Sequence, residues 1–533
     1  MARLCIPIEL RTPVMQQSRP HARSAFPFLL GFQLPDHIMY NARHYSIMRS
    51  CPMKSIPTNS KWFVFASIAA GTFLATIDGS IVNIALPTLE RELHTQFAIV
   101  QWVVLGYLLT VVTLMLSIGR LADIIGKKWL YLAGMTVFTL GSMLCGTAQT
   151  VEMLIAFRVL QAVGAAMMMA LGTAILTEVF PASERGKVLG LGGLMVSLGS
   201  ISGPTLGGLI LGVTTWHWIF YVNVPIGVIG TLLVVRFVPA TRAPGGQKFD
   251  FAGAVTLGTS LLALLLGLSI GQENGSADPL ALGLLVAFVI IFAGFIFVET
   301  HVAQPMVDLQ LFRNALFSVN LITGFMVFIA SAGTVLLMPF FLQNVLQFKP
   351  ETAGLMLATV PLAMGVVAPI SGTLSDRFGT RRLTVIGLAI LVGGYSLVST
   401  LNEHAQILTY VLCFLPIGIG MGVFNSPNNS AIMGAAPRHR LGVASSLLSL
   451  TRTIGQTTGM AVIGAIWASG VVAHGGPSRD ATTAPPAIQV VALQDTLHVI
   501  VVLITLALTL SGWALWQERA TKTAPAQVVE RSE

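Results

Sequence analysis

The sequence predicts an all-α integral membrane protein: two six-helix bundles with a two-helix hairpin inserted between them, 14 transmembrane helices in all. Three observations carry that prediction. Hydrophobic residues make up 54% of the 533-residue chain and charged residues only 10%; a soluble domain carries about 25% charged residues, so the surplus apolar surface must face lipid. Apolar stretches of about 20 residues, the length that crosses a bilayer as helix, recur from Trp62 to Trp516. A short charged segment, GRLADIIGKK (Gly119 to Lys128), returns in altered form as GTLSDRFGTRR (Gly372 to Arg382), with Asp123 and Asp376 in matching places, 376 − 123 = 253 residues apart. That is how a duplicated helical bundle reads in sequence.

Taken in order, residues 1–60 come first, as a basic tail with six Arg before position 50 and only Glu9 and Asp36 as acids. Its apolar piece, Phe26 to Phe32, is too short for a signal h-region. The tail reads either as an acid-poor transit peptide or as residues ahead of a translation start at Met48 or Met53, and the second is the expectation. The spans then follow at about 62–86, 98–118, 129–148, 152–177, 188–212, 217–238, 250–270, 279–299, 316–342, 352–374, 382–400, 406–430, 442–472 and 496–516. These runs are far longer than the alternating strands of a membrane barrel.

The first copy of the charged segment joins spans 2 and 3, and the second joins spans 10 and 11. Residues 61–238 are therefore the N-terminal bundle, 239–300 the inserted hairpin with its linkers, 301–517 the C-terminal bundle and 518–533 a cytoplasmic tail. A second echo supports the pairing: PASERGKVLG (Pro181 to Gly190) precedes span 5 and APRHRLGVAS (Ala436 to Ser445) precedes span 13.

Loop charge sets the expected orientation. With the start of the chain placed in the cytoplasm, inner loops and the C-terminal flank hold 16 Lys or Arg and outer loops hold three, Arg91, Lys349 and Arg479. Both termini are thus expected inside a multi-pass cell (inner or plasma) membrane. The net charge of +8 reports this asymmetry, and no compact basic domain is present for nucleic acid. Cys5, Cys51, Cys145 and Cys413 form no disulfide framework.

Charges inside the spans are costly and point to function. Asp78 in span 1, Arg158 in span 4 and Arg452 in span 13 stand well inside. Counted at about 1.5 Å per residue, Asp78 lies roughly 12 Å and Arg158 roughly 9 Å below the outer ends of their spans. Similar depth in one bundle suggests that they couple across a cavity. Arg158 would depress the carboxylate pKa when near, and desolvation would raise it when apart; the alternative is a structural ion pair between packed helices.

Arg452 lies near the midplane in TRTIGQTTG, with no acid in the neighbouring C-terminal spans. It is expected to bond backbone carbonyls or Asn425, Asn428 and Asn429 of NSPNN, where Pro427 frees carbonyls. Packing and transport roles both stay open for it. In span 5, Gly199, Gly203 and Gly207 form a flat face, Gly208 widens it, and Pro204 bends the helix. Met167, Met168, Met169, Phe325, Phe328, Phe340 and Phe341 offer soft or aromatic surface for a substrate, or equally for core and lipid.

These motifs resemble those of the major facilitator superfamily, and specifically of its fourteen-helix drug:proton antiporters of the EmrB/QacA type, over Lys61 to about Gln517. The resemblance implies the major facilitator fold. ATIDGSIVNIALP (Ala75 to Pro87) is similar to the family's helix 1 motif, whose Asp serves protonation or cation recognition. RVLQAVGAA (Arg158 to Ala166), which includes Gln161, is similar to its helix 4 motif, whose Arg is tied to proton coupling. GxxxGPxxGG at Gly199 to Gly208 resembles the antiporter signature and disfavours symport. Gly119, Asp123, Gly126, Lys127 and Lys128, with Asp376 and Arg377 in the second copy, resemble the loop latch whose Asp pairs with the other bundle. Ile124 stands where the latch usually has Arg.

The chain carries no GxxxxGK[ST] loop and no His/Cys/Asp cluster with metal-ligand spacing. The expectation is therefore a transporter and not an enzyme, without metal or cofactor, driven by a proton gradient and exporting drugs or other amphiphilic compounds by alternating access, which would confer drug resistance. A buried Asp is compatible with lipophilic cations as substrates, and equally with protons alone. Expected partners are the small-molecule substrate, protons, the lipid bilayer and, as an option, an accessory periplasmic protein. The rival within transport is a dedicated exporter of one metabolite, lipid or siderophore. A non-transporting membrane sensor would need a soluble signalling domain, which the sequence lacks.

Overall fold

The computed structural model describes residues 58–240, 251–274, 277–302, 309–435, 441–476 and 481–523. The expectations for the N-terminal tail, and most of the linker after residue 239, lie outside them. Helices succeed one another without a strand among the described residues. They are α1 (Thr58–Glu92), α2 (Phe97–Val100 running into Trp102–Ile125), α3 (Lys127–Cys145), α4 (Val151–Val179), α5 (Ala182–Val213) and α6 (Trp218–Tyr221 running into Asn223–Phe237). Then come α7 (Phe251–Asn274), α8 (Pro279–His301), α9 (Ala315–Phe340, ending in a π turn at Phe341–Val345), α10 (Pro350–Leu357 running into Thr359–Phe378), α11 (Thr380–Val398), α12 (Ile407–Ala435), α13 (Leu441–Gly475) and α14 (Pro486–Thr523). Among the described residues, 11 helices are long and apolar enough to cross a membrane. α3 is not among them, because Lys127 and Lys128 lie in its first turn.

Local chemistry explains the boundaries. The Thr150 side chain accepts from Met153 N–H to start α4; Asp278 and Asn314 cap α8 and α9 in the same way. α1 outruns its predicted end: Pro87 costs only one backbone bond near the helix end, and the helix continues to Glu92. Asp78 therefore sits 14 residues, or about 21 Å, before the end of its helix, deeper than the predicted 12 Å.

The duplication shows in the backbone. Gly126 and Gly379, also 379 − 126 = 253 residues apart, each end a helix with φ +100° and +89°. A side chain would strain both turns. The same offset relates Gly134 to Gly387 and Gly141 to Gly394, each held against the neighbouring helix, α4 in one half and α12 in the other. Packing is dense within residues 58–237 (α1 on α5, α3 and α2 on α4) and within 315–523 (α11 and α10 on α12, α9 on α13). α7 and α8 pack on each other, and α7 also lies against α2 and α13; Trp102 donates to Ser269 Oγ at 3.0 Å across that seam.

The halves meet closely at the end away from the basic loops. Gly208 and Pro204 of α5 lie directly against Pro350 and Gly354 of α10. Gln343 Nε2 donates to Ile84 O at 2.9 Å, Thr482 Oγ1 donates to Glu90 Oε1 at 2.5 Å, and Phe97 meets Phe340 and Trp467 edge-on at 5.1 Å.

Candidate functional site

A buried polar cluster occupies the middle of the N-terminal half. α4 presents Arg158 and Gln161 three residues apart, hence on one face, toward Asp78 of α1. Arg158 Nη1 donates to Asp78 Oδ2 at 2.5 Å and to Gln161 Oε1 at 2.8 Å, and Nε donates to Val103 O of α2 at 3.1 Å. Asp78 Oδ1 accepts from Gln161 Nε2 at 2.8 Å and from Asn223 Nδ2, at the start of the long part of α6, at 3.0 Å. Asn223 also donates to Ser142 Oγ of α3 at 3.1 Å, and Ser142 donates to Phe220 O at 2.9 Å. The guanidinium lies over the Tyr107 ring, 4.2 Å from its centroid. Asp78, Arg158, Gln161, Asn223 and Ser142 are all 0% exposed.

The geometry is a closed charge account. Two ions taken out of water are tolerable only when geometry and extra hydrogen bonds offset their desolvation. Asp78 has both oxygens engaged and accepts three hydrogen bonds, so in this state it offers no free oxygen to a cation. Arg158 Nη2 has no partner among the described residues, and the Tyr107 ring face stands in its place. Sequence reasoning named Asp78, Arg158 and Gln161, and the fold brings them into direct contact. It does not single out Asn223, Ser142 and Tyr107, because neutral polar groups are common in helices wherever they find a bond. Asn223, a lone amide ahead of Pro225 in an apolar stretch, was the available signal.

Other sequence candidates fall elsewhere. Gly199, Gly203 and Gly207 face α1, with Cβ positions 2.8 Å from Thr76 Cβ at Gly199 and 2.6 Å from Ile84 Cγ2 at Gly207. Ser80 Oγ donates to Gly199 O at 3.2 Å. Pro204 and Gly208 face α10 of the other half. α5 thus lies between the helix that carries Asp78 and the opposite bundle. Lys127 pairs with Glu178 of α4, and Lys128 donates to Val235 O of α6, so both lysines bond within their own half. Arg377 is exposed near the Phe378 ring; the surroundings of Gly119 and the side chains of Asp123 and Asp376 lie outside what the structure describes.

In the other half, Arg452 does not bond the NSPNN asparagines. Its guanidinium lies over the Phe328 ring, 5.7 Å from the centroid. Asn425 Nδ2 points at Met364 Sδ at 3.8 Å, Asn428 is buried beside Gly324, and Asn429 is exposed. Met168, Phe328, Phe340 and Phe341 are buried packing residues. Among the described residues no group of three or more His, Cys, Asp or Glu could hold a metal ion.

Duplicated helical halves in a membrane chain, with a fully buried ion pair among the described residues, are features of a membrane transporter. The Major Facilitator Superfamily profile matches residues 68–460 and 320–528, and the chain belongs to that superfamily of membrane transporters. It is 34% identical over 409 residues to the riboflavin transporter RibZ of Clostridioides difficile, covering 76% of this chain and 88% of that one. It is 30% identical over 409 residues to the multidrug transporter protein MdtP of Bacillus subtilis, covering 76% and 75%. The tetracenomycin C resistance and export protein of Streptomyces glaucescens is 30% identical over 413 residues, covering 77% and 76%. Among solved structures, an inward-facing bacterial homologue of the human lysosomal transporter Spinster superposes with a TM-score of 0.62 at 16% identity, over 86% of this chain and 97% of that one; that likeness concerns the fold.

Proposed function

We propose that the chain is a proton-coupled antiporter of the fourteen-helix drug:proton type, exporting drugs or other amphiphilic compounds by alternating access. The observation that carries the reading is the cluster of Asp78, Arg158, Gln161 and Asn223. Protonating Asp78 would replace an acceptor facing three donors with a donor. It would also cancel the charge that compensates Arg158, so proton binding forces the cluster to rearrange. The rearrangement has a mechanical route. Asp78 rides on α1, whose turns at Thr76 to Ile84 are fitted to the glycines of α5, and the opposite face of α5 abuts α10. A shift of α1 must therefore move the seam between the halves, because packed cores switch between arrangements and do not stretch.

With the basic loops placed in the cytoplasm, the close seam lies at the outer end, the arrangement expected of an inward-open state. The glycine-aspartate loops are the proposed latch of the opposite, outward-open state, and the lysines that bond within one half here would be free to join it. Two of the relatives carry export or multidrug names, which favours efflux. The relative named a riboflavin transporter supports the rival of a dedicated carrier on the same scaffold.

The test is substrate-induced proton release from proteoliposomes holding wild type or Asp78→Asn. Release by several unrelated amphiphiles, lost in the variant while membrane insertion persists, is expected. Undiminished release by the variant would remove Asp78 from coupling. Release by one compound alone would replace multidrug export with a dedicated exporter.

A further inference from the structure

Resting on the transport reading above, we propose that Arg452 is an oxyanion-recognising group of the substrate cavity, and that the chain takes amphiphiles bearing a carboxylate or similar oxyanion. Arg452 projects from α13 beside Phe328, midway along α9. Its side chain is exposed, while the Phe328 ring on which it rests is buried. It leaves α13 on the face that packs on α9, where Gly455, three residues on, lies against Phe325 and Phe328, so it stands toward the protein and not toward lipid. Among the described residues it makes no hydrogen bond and no ion pair; its partner is the face of one ring.

An arginine inside a membrane protein is expensive, and such residues ordinarily pair with acids or carbonyls. The first half meets that rule through Asp78. Here the five N–H donors of the fork find no protein acceptor, and their planar geometry matches a carboxylate bidentately. A cationic ligand would meet uncompensated repulsion at this point.

A second polar group belongs to the same place. Asn428 of α12 is 1% exposed, and its Oδ1 has no partner among the described residues. It packs at Gly324, one helical turn of α9 from the Phe328 that carries Arg452, or about 6 Å along the axis. An unpartnered buried amide and an unpartnered guanidinium on adjacent turns make a polar pair, with Met364 next to Asn425 on the same helix as Asn428. Such a pair suits a ligand with an oxyanion for Arg452, a donor group for Asn428 and an apolar body for the soft wall.

The test is equilibrium binding to the full chain in phosphatidylcholine nanodiscs, without any gradient. The probes share one ring system: 2-naphthylacetate, 2-naphthylacetamide and 2-(2-naphthyl)ethylammonium. The acid is expected to bind about tenfold more tightly than the amide, a difference of about 1.4 kcal/mol, and the amine more weakly than both. Arg452→Gln should erase the preference for the acid, and Arg452→Lys should restore part of it. Equal or tighter binding of the amine, or an acid preference that survives in Arg452→Gln, overturns the proposal. Competition by added phosphatidylglycerol would assign the oxyanion to a lipid headgroup, and lack of competition to a free organic acid; both support an oxyanion site. Failure of the antiport reading looks different: proton release would be absent while the binding preference stands.

Discussion

Arg158 and Arg452 invite comparison, because the same side chain is housed inside the two halves in opposite ways. Arg158 is wholly buried, holds Asp78 at 2.5 Å, and is bonded from three further directions by Gln161, Val103 and the Tyr107 ring. Arg452 is exposed and rests on one phenylalanine. The first arrangement has its charge compensated and most of its donors engaged inside the protein. The second keeps its donors for whatever enters. Duplicated halves need not keep duplicated chemistry: one holds a self-contained ion pair and the other an unpaired guanidinium.

The difference can be broken most forcefully at Arg158. Arg158→Ala strands a buried carboxylate and should destabilise the protein by about 3–5 kcal/mol, read as a large drop in the midpoint of thermal unfolding in detergent. An unfolding midpoint near that of wild type would mean that the cluster is not a closed account. Gly208→Val tests the proposed route from the Asp78 cluster to the other half. Its side chain has no room beside Pro350, so overpacking should cost about 1–3 kcal/mol, and transport should fall even in protein that still folds. Normal transport there would remove α5 from the coupling route.

Smaller effects sharpen the contrast. Asn223→Ala removes one donor from Asp78 and one from Ser142 and should cost about 1–3 kcal/mol, with proton release weakened but not lost. Lys127→Ala deletes a half-exposed pair with Glu178 and should change stability by about 0.2–1 kcal/mol. Arg452→Gln breaks no pair, so the unfolding midpoint should stay within about 0.5 kcal/mol of wild type. A loss as large as that at Arg158 would expose a protein partner for Arg452.

Parts of this were legible in the residues. The loops at Gly119 and Gly372 announced the duplication, since a charged segment between apolar runs has few ways to recur by chance, and Gly126 and Gly379 then share one left-handed turn. Asp78 and Arg158 stood out because charge inside an apolar run is costly. Asn223 and Ser142 did not, since neutral polar groups are tolerated in helices wherever they find a bond, and only the packing shows which bond. The helix end at Glu92 was misjudged because a proline near a helix end removes just one hydrogen bond. For Arg452 the neighbouring asparagines suggested partners by nearness in sequence, while the turn of α12 sends Asn425 toward Met364 and Asn428 toward Gly324.

By itself the sequence determined the class, the repeat and the buried charges Asp78 and Arg158. Each follows from the cost of placing polar atoms in hydrocarbon, a cost that depends on composition and periodicity alone. Only the tertiary structure decided that Asp78 is fully engaged while Arg452 is left open, and that the glycines of α5 divide their faces between α1 and the opposite half. Partnership between residues far apart in the chain depends on helix rotation and approach at the scale of one ångström, and many sequences with the same apolar pattern would settle those differently.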